Sequence, residues 1–527
     1  MPDRGLPSKQ RSFLERYYAG ELSDFFSLRP HDHRSALELT RRVPRRRLVS
    51  ALTGYAEKTG APPRVFEQIE LLRDPTSQVV VTGQQVGLLL GPTFTLSKAF
   101  TALKVAEELT RQEHPVIPIF WLASQDHDHL EIDHCYLLDK EENLHRLEVT
   151  LPPDTPAGRI PFEPSMLSRI ERSIAEGAWV PEHTSEVLAL LERAASRATT
   201  FADWFAAVLY ELLGARGLVI LNPMEPDTAT LFKDILTAEI RRPQISVAAI
   251  QEAAHGLKRL GVEPQLGRGA NASNLFVEEW YGGSVRRELL RFDGRHFFSR
   301  SASYRAEDLL ERLAEEPRSI TPAAGLRPIT QDAVLPTAVT VVGPGELRYF
   351  AQLRGVYAHH GVEMPLVWPR TVATVLEPPI RRILAKYELS LEDYLIDPEG
   401  SKAQVLLERH GHASVFRDSV DQLHQIARRL IEQVDAIDTT LTGPVMRTEG
   451  RIEHALERLK FKTAAAVARQ DELTDRQFGR LVSHLFPLAT PQERLISPFS
   501  FFLKFGIEPL LEAFAALPSS GQHTVRP

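Results

Sequence analysis

The period of the apolar positions changes along this chain, and each change marks a structural boundary. Residues 1 to 74 read as helices among many arginines. They include the run Arg41-Arg42-Val43-Pro44-Arg45-Arg46-Arg47, which suits either a solvated helical face or a phosphate-binding patch. From Gln78 the pattern becomes strand, loop, helix, strand, loop, the order of a parallel sheet with right-handed crossovers. Val79-Val80-Val81 is a β-branched run suited to a buried strand. Gly91-Pro92 predicts a helix with proline at its first position, and Leu96, Phe100, Leu103 and Ala106 supply its apolar face. Val116 to Leu122 predicts the next strand, after which polarity rises abruptly at Ser124-Gln125-Asp126-His127-Asp128-His129. A second α/β unit repeats the pattern. Trp204, Phe205, Val208, Leu209 and Leu212 form a helix face, Gly214 and Gly217 end it, and Leu218 to Leu221 is another buried strand.

Between about Arg241 and Leu326 the pattern is mixed. Leu275 to Trp280 and Val285 to Phe292 flank Gly282-Gly283 as a predicted hairpin within an insertion. The parallel pattern then resumes, with Ala338 to Val342 as a strand, Gly343-Pro344-Gly345 as a tight turn, Glu346 to His360 as a helix and Pro365 to Trp368 as a strand. Beyond Glu377 the chain turns helical. Val420, Leu423, Ala427, Leu430, Val434, Ile437 and Leu441 alternate steps of three and four, and Val445, Ile452, Leu459 and Ala466 recur every seven residues. The simplest geometry is an antiparallel helical hairpin over about 415–470, turning at Gly443-Pro444, which serves as a dimer contact or folds onto its own subunit. The expected domains are therefore 1–376, an α/β core with N-terminal helices and an insertion at about 241–326, and 377–527, a helical domain.

Composition adds limits rather than identity. At 527 residues the chain exceeds a single hydrophobic core, and 43% hydrophobic with 25% charged residues is ordinary for a globular protein. A net charge of −7 is the wrong sign for a nucleic-acid coat. One cysteine, Cys135, excludes an internal disulfide, and the polar start of the chain does not resemble a signal peptide, so a cytoplasmic location is expected. Pro75 to Ser97 is free of charge and carries Gly83, Gly87 and Gly91 at four-residue spacing. Its glutamines, threonines and Pro92 nevertheless exclude a membrane span.

Open parallel sheets bind ligands beyond the carboxyl ends of their strands. Three segments occupy that position: Thr82-Gly83-Gln84-Gln85, Ser124 to Asp128, and Gly343-Pro344-Gly345-Glu346. Glycines there permit close backbone approach, and the first turn of the helix at Gly91-Pro92 would offer unpaired amides to an anion. Asp126-His127-Asp128 pairs carboxylates with an imidazole, an arrangement that orients and tunes a general base. A metal site is not expected, because alternating residues of an extended segment face opposite sides and no Cys-x-x-Cys or His-Glu-x-x-His completes a ligand set. The phosphate loop of P-loop enzymes, the Gly-x-Gly-x-x-Gly turn and the Gly-x-Ser-x-Gly elbow are all absent.

These same segments resemble the bacillithiol biosynthesis cysteine-adding enzymes. The resemblance runs through Val80 to Gln85, Gly91-Pro92, Thr95, Lys98, Pro118 to Trp121, Asp126-His127-Asp128 and His134. It continues through Leu326-Arg327-Pro328, Gln331-Asp332, Leu335-Pro336-Thr337, Gly343 to Glu346, Tyr349, Ala351-Gln352-Leu353, Met364-Pro365 and Pro369-Arg370, and ends at Leu485-Phe486-Pro487, Gln492-Glu493-Arg494 and Phe505-Gly506. Gln125 stands where a glutamate is common in the family, and Val342 where a glycine often precedes Gly343. The resemblance implies a Rossmann-type core akin to class I aminoacyl-tRNA synthetases, connecting-peptide insertions and a coiled coil used for dimerisation. It also implies a reaction in which cysteine is joined to glucosaminyl-malate by an amide bond. No His-Ile-Gly-His or Lys-Met-Ser-Lys-Ser motif occurs, so ATP use follows only from the difficulty of condensing a carboxylate with an amine. On this reading Asp126, His127 and Asp128 are the catalytic candidates. Thr82, Gly83, Gln84, Gln85, Arg327, Gln331, Asp332 and Arg370 are candidates for substrate binding, with Arg327 or Arg370 clamping the malate carboxylates. Gly91, Pro92, Gly343, Gly345 and Glu346 are candidates for nucleotide contact. A synthetase-like nucleotidyltransferase acting on another amine, and a coiled-coil interaction protein on an inactive core, are the alternatives.

Overall fold

The computed structural model describes residues 12–39, 41–110, 114–269 and 271–527. By contacts the chain divides into one unit of residues up to Thr374 together with Glu493–Val525, and a second of Val375–Gln492. By contacts, the last segment of the expected 377–527 helical domain groups with the first unit. There, Thr93 donates from both its amide and its hydroxyl to the Ile496 carbonyl, and Ser497 Oγ donates to the Leu89 carbonyl.

The first unit is built on a five-stranded parallel sheet in the spatial order Leu366–Pro369, Thr337–Val342, Gln78–Gln84, Val116–Leu122, Val219–Leu221. Val80 pairs with Val339 on one side and Pro118 on the other. Pro118 is tolerated because the short edge strand pairs only with Ile119, Phe120 and Trp121. The apolar runs that mark these strands are buried throughout. One face packs on the helix Phe94–Leu109 through Ala102, Val105, Ala106 and Leu109 against Val80, Val339 and Val341.

Several boundaries differ from the sequence reading. The helix after the first strand begins at Phe94 rather than Pro92, since Leu88–Leu90 forms a tight turn that Gly91 closes with φ +63°. Gly343 is the N-cap of the helix Pro344–Phe350, so Gly-Pro-Gly opens a helix, with proline at its first position, instead of forming a free turn. That helix breaks before Arg354–His359. The insertion matches its pattern: Ala272–Tyr281 and Ser284–Phe292 form a hairpin across Gly282 and Gly283, whose φ of +54° and +92° suit the two-residue turn. Ile320–Pro322 pairs with the first of these strands. The sole cysteine, Cys135, lies buried in His134–Leu138, and burial pushes its thiol well above its ordinary value.

The second unit is helical. Its long hairpin comprises Ala413–Asp435 and Thr442–Ala468 and turns through 436–441, ahead of Gly443-Pro444, which sits in the first turn of the second helix, where proline costs nothing. Leu423 and Ala427 are buried, whereas Leu430 on the same predicted stripe, and Ile452 and Leu459 on that of the second helix, are exposed. Among the described residues no helix is long and apolar enough to cross a membrane.

Candidate active site

Strand order reverses at Gln78–Gln84, from which the chain moves outward to Val116–Leu122 and Val219–Leu221 and later returns to place Thr337–Val342 on the other side. Adjacent loops at the carboxyl edge part at such a switch point and leave a crevice. A cavity of about 480 Å³ lies there, lined by Gly83, Gln84 and Gln85 from the first loop, Gln125, Asp126 and His127 from the second, and Gly343 to Glu346 from the fourth strand's loop. Phe276 and Arg287 of the inserted hairpin, Arg327, Tyr349, Lys98, Arg370 and Arg494 also line it. Five lysine or arginine side chains therefore meet two carboxylates, Asp126 and Glu346.

The charges are arranged in groups. Lys98 Nζ lies 2.6 Å from Glu346 Oε2 and donates to the Gly83 carbonyl at 2.9 Å and to Gln84 Oε1 at 3.0 Å. Burial, with Arg370 and Arg327 nearby, draws the Lys98 ammonium below its ordinary value, and Glu346 opposes the shift. Burial works against the Glu346 charge, but Lys98, the Gly343 amide and Arg327 outweigh it and hold the carboxyl below its usual range. Arg370 is 2% exposed at its side chain, and its fork is spent on Glu493 at 2.8 and 2.6 Å. Among the described residues Arg327 makes no such pair. Its Nη1 donates to Gln331 Oε1 at 3.0 Å, and its Nη2 lies 3.4 Å from the Tyr349 hydroxyl.

At the second loop, Asp126 accepts from Gln85 Nε2 at 2.9 Å and from the His127 amide at 2.8 Å, and the same Gln85 amide also donates to Glu131. Burial raises the Asp126 carboxyl, yet Arg287, Gln85 and the following amides together hold it below its ordinary value. Arg287 is stacked 3.8 Å from the Phe276 ring centroid and anchored by Thr321 Oγ1 at 2.8 Å and the Pro322 carbonyl at 2.9 Å. Its Nη1 lies 3.3 Å from His127 Nδ1. Since a guanidinium only donates, this contact assigns the His127 lone pair to Nδ1 and its proton to Nε2. Burial, then Arg287, lowers the His127 pKa, so the ring is neutral at pH 7.

Of the other expected site residues, Thr82, Gly91, Pro92, Asp128, Gln331 and Asp332 do not line the cavity. Thr82 is buried, its hydroxyl donating to the Val341 carbonyl and tying two strands together. A Cβ at Gly83 would meet the Trp121 carbonyl at 2.8 Å, so that glycine serves packing as well as lining. Asp128 is exposed and precedes the short helix His129–Ile132. Gln331 and Asp332 are buried behind Arg327. Gly91 and Pro92 do not line the cavity, and the neighbouring amide of Thr93 is taken by Ile496, so the helix start is not open to an anion. Among the described residues no group of three or more His, Cys, Asp or Glu side chains gathers as a metal site would require.

Two family models divide the chain between them. Residues 6–371 match the bacillithiol biosynthesis BshC N-terminal Rossmann-like domain, and residues 373–526 match the BshC C-terminal coiled-coil domain. The chain belongs to the BshC family. Relatives named "Putative cysteine ligase BshC" include one from Thermus thermophilus, 39% identical over 88% of this chain and 91% of the relative. Those of Salinibacter ruber and Geobacillus thermodenitrificans are 33% and 30% identical, over 87% and 92% of this chain and 84% and 91% of theirs. Within this BshC-family chain the cavity gathers most of the loop residues named from sequence. It adds Phe276 and Arg287, which carried no local signal, and Arg494, which the family resemblance marked without a role.

Proposed function

We propose that this chain joins L-cysteine to glucosaminyl-malate by an amide bond, the cysteine-adding step of bacillithiol biosynthesis. The observation that carries this reading is the cationic surplus of the switch-point cavity, which suits a substrate bearing two carboxylates. Arg327 is the proposed clamp, because Arg370 already holds Glu493. Cysteine is activated at its carboxylate by ATP: a carboxylate oxygen bonds to the α-phosphorus, pyrophosphate leaves, and a mixed anhydride results. The glucosamine amine then attacks the acyl carbon, AMP departs, and the amine releases a proton. His127 accepts that proton at Nδ1 once bound substrate takes over its Arg287 contact, and Asp126 orients the cysteine ammonium. The exposed apolar positions of the helical hairpin, Leu430, Ile452 and Leu459, form the seam of a homodimer in the same proposal.

The decisive experiment mixes purified protein with cysteine, glucosaminyl-malate and ATP and follows the mass of bacillithiol. Product is expected only with all three. No product under any combination of substrates would overturn the reading in favour of a non-catalytic role.

A further inference from the structure

Arg327 opens the helix Arg327–Val334 at the cavity, and two polar residues of the same helix lie buried behind it. Gln331 and Asp332 are each 1% exposed, as is Tyr357. The Asp332 carboxylate makes no ion pair among the described residues. It accepts from the Tyr357 hydroxyl at 2.6 Å and from Gln331 Nε2 at 3.0 Å. Buried carboxylates without a cation are costly, so this one serves some purpose beyond packing.

The chemistry of the donors supplies that purpose. An ionised carboxylate only accepts hydrogen bonds, so it fixes which end of the Gln331 amide faces it. With Nε2 turned to Asp332, the amide oxygen is turned the other way, and there it receives Arg327 Nη1 at 3.0 Å. A reversed amide would set acceptor against acceptor at Asp332 and donor against donor at Arg327. The Tyr349 hydroxyl at 3.4 Å and the Trp121 ring, 5.9 Å from Arg327 Cζ, bracket the same guanidinium. We infer that Asp332 and Gln331 are positioning residues, a buried relay that holds Arg327 in one orientation so that it presents a preorganised fork to a carboxylate ligand. Substrate discrimination at the malate end then depends on residues that never touch the substrate. Preorganisation matters here because an arginine free to rotate loses conformational entropy on every binding event.

This inference rests on the malate-clamp reading of Arg327, and the experiment separates the two. Full-length wild type, Gln331→Met, Asp332→Asn and Arg327→Ala, with the Gln331→Met/Arg327→Ala double variant, are titrated calorimetrically with L-malate. KM is measured for glucosaminyl-malate and for cysteine. Gln331→Met and Asp332→Asn are each expected to weaken malate binding and raise KM for glucosaminyl-malate by about tenfold, the loss of one charge-assisted hydrogen bond's worth of orientation. KM for cysteine should stay within about twofold, as for a site the relay does not reach. In the Arg327→Ala background Gln331→Met should add nothing further, because a relay that acts through Arg327 has nothing left to position. Additive effects in the double variant, or unchanged malate affinity in Gln331→Met, would overturn the relay even if the enzyme makes bacillithiol. Absence of malate binding by wild type would overturn it as well. Relay-dependent malate binding without bacillithiol formation would keep the relay and reject the proposed reaction.

Discussion

Removing Glu493 tests how the returning C-terminal segment is held. Glu493 takes both terminal nitrogens of Arg370, at 2.8 and 2.6 Å, and the Ala373 amide at 3.3 Å, with side-chain exposures of 2% for Arg370 and 8% for Glu493. Glu493→Ala would leave a guanidinium charge inside the protein with only the Thr371 carbonyl still accepting from it. Breaking a buried pair on one side typically costs about 3–5 kcal/mol, and the two short bonds place this variant in that range. Replacing both partners, as Arg370→Met with Glu493→Leu, removes the charge together with its desolvation cost and should recover stability to within about 1–2 kcal/mol of the parent. Urea unfolding followed by tryptophan fluorescence reads both values. A loss below about 1 kcal/mol in Glu493→Ala, or a double variant no better than the single one, would show that the pair is solvated and the reasoning wrong. A double variant that is stable but inactive would return Arg370 to the substrate-binding set.

His127→Ala should lower turnover by about 10²–10⁴, and His127→Gln, which keeps a donor but no base, should not restore it; rescue by glutamine would make the ring a hydrogen-bond donor instead. His129→Ala, outside the cavity, should leave turnover near the parent's. Because burial and Arg287 depress the His127 pKa, activity should fall only as the pH drops below the ordinary value of 6.5, and Arg287→Gln should move that acid limb upward; an unmoved limb in a pH–rate profile would detach His127 from the titration. Asp at both Leu430 and Val434 should dissociate the dimer while leaving the first unit folded, since burying unpaired charge is costly; light scattering that shows an unchanged dimer would refute the seam.

Legibility in the sequence followed the range of the interactions. The strand Val116–Leu122 and the hairpin across Gly282-Gly283 are written locally, in β-branched runs and turn glycines, and could be read directly. The loops after the strands were equally plain, because polarity jumps where an apolar run ends. The helix start near Pro92 misled because the deciding contact, Thr93 to Ile496, spans 403 residues. Arg370 looked like a ligand clamp for the same reason, its partner Glu493 being 123 residues away. Arg287 reaches the cavity only because the hairpin folds over it, and an arginine in an alternating strand otherwise reads as a solvent-facing residue.

The burial of Cys135 bears on how this protein can be studied. With its only thiol 3% exposed and shifted away from the reactive thiolate form, the native protein offers maleimides and aromatic disulfides nothing to react with. Thiol-capturing dyes can therefore be added directly to a turnover mixture, where labelled adducts report low-molecular-weight thiols rather than modified catalyst. The same inaccessibility keeps the protein out of mixed disulfides with the small thiols among which it is proposed to work. Its activity should therefore survive swings in thiol redox balance that would silence an enzyme with an exposed cysteine.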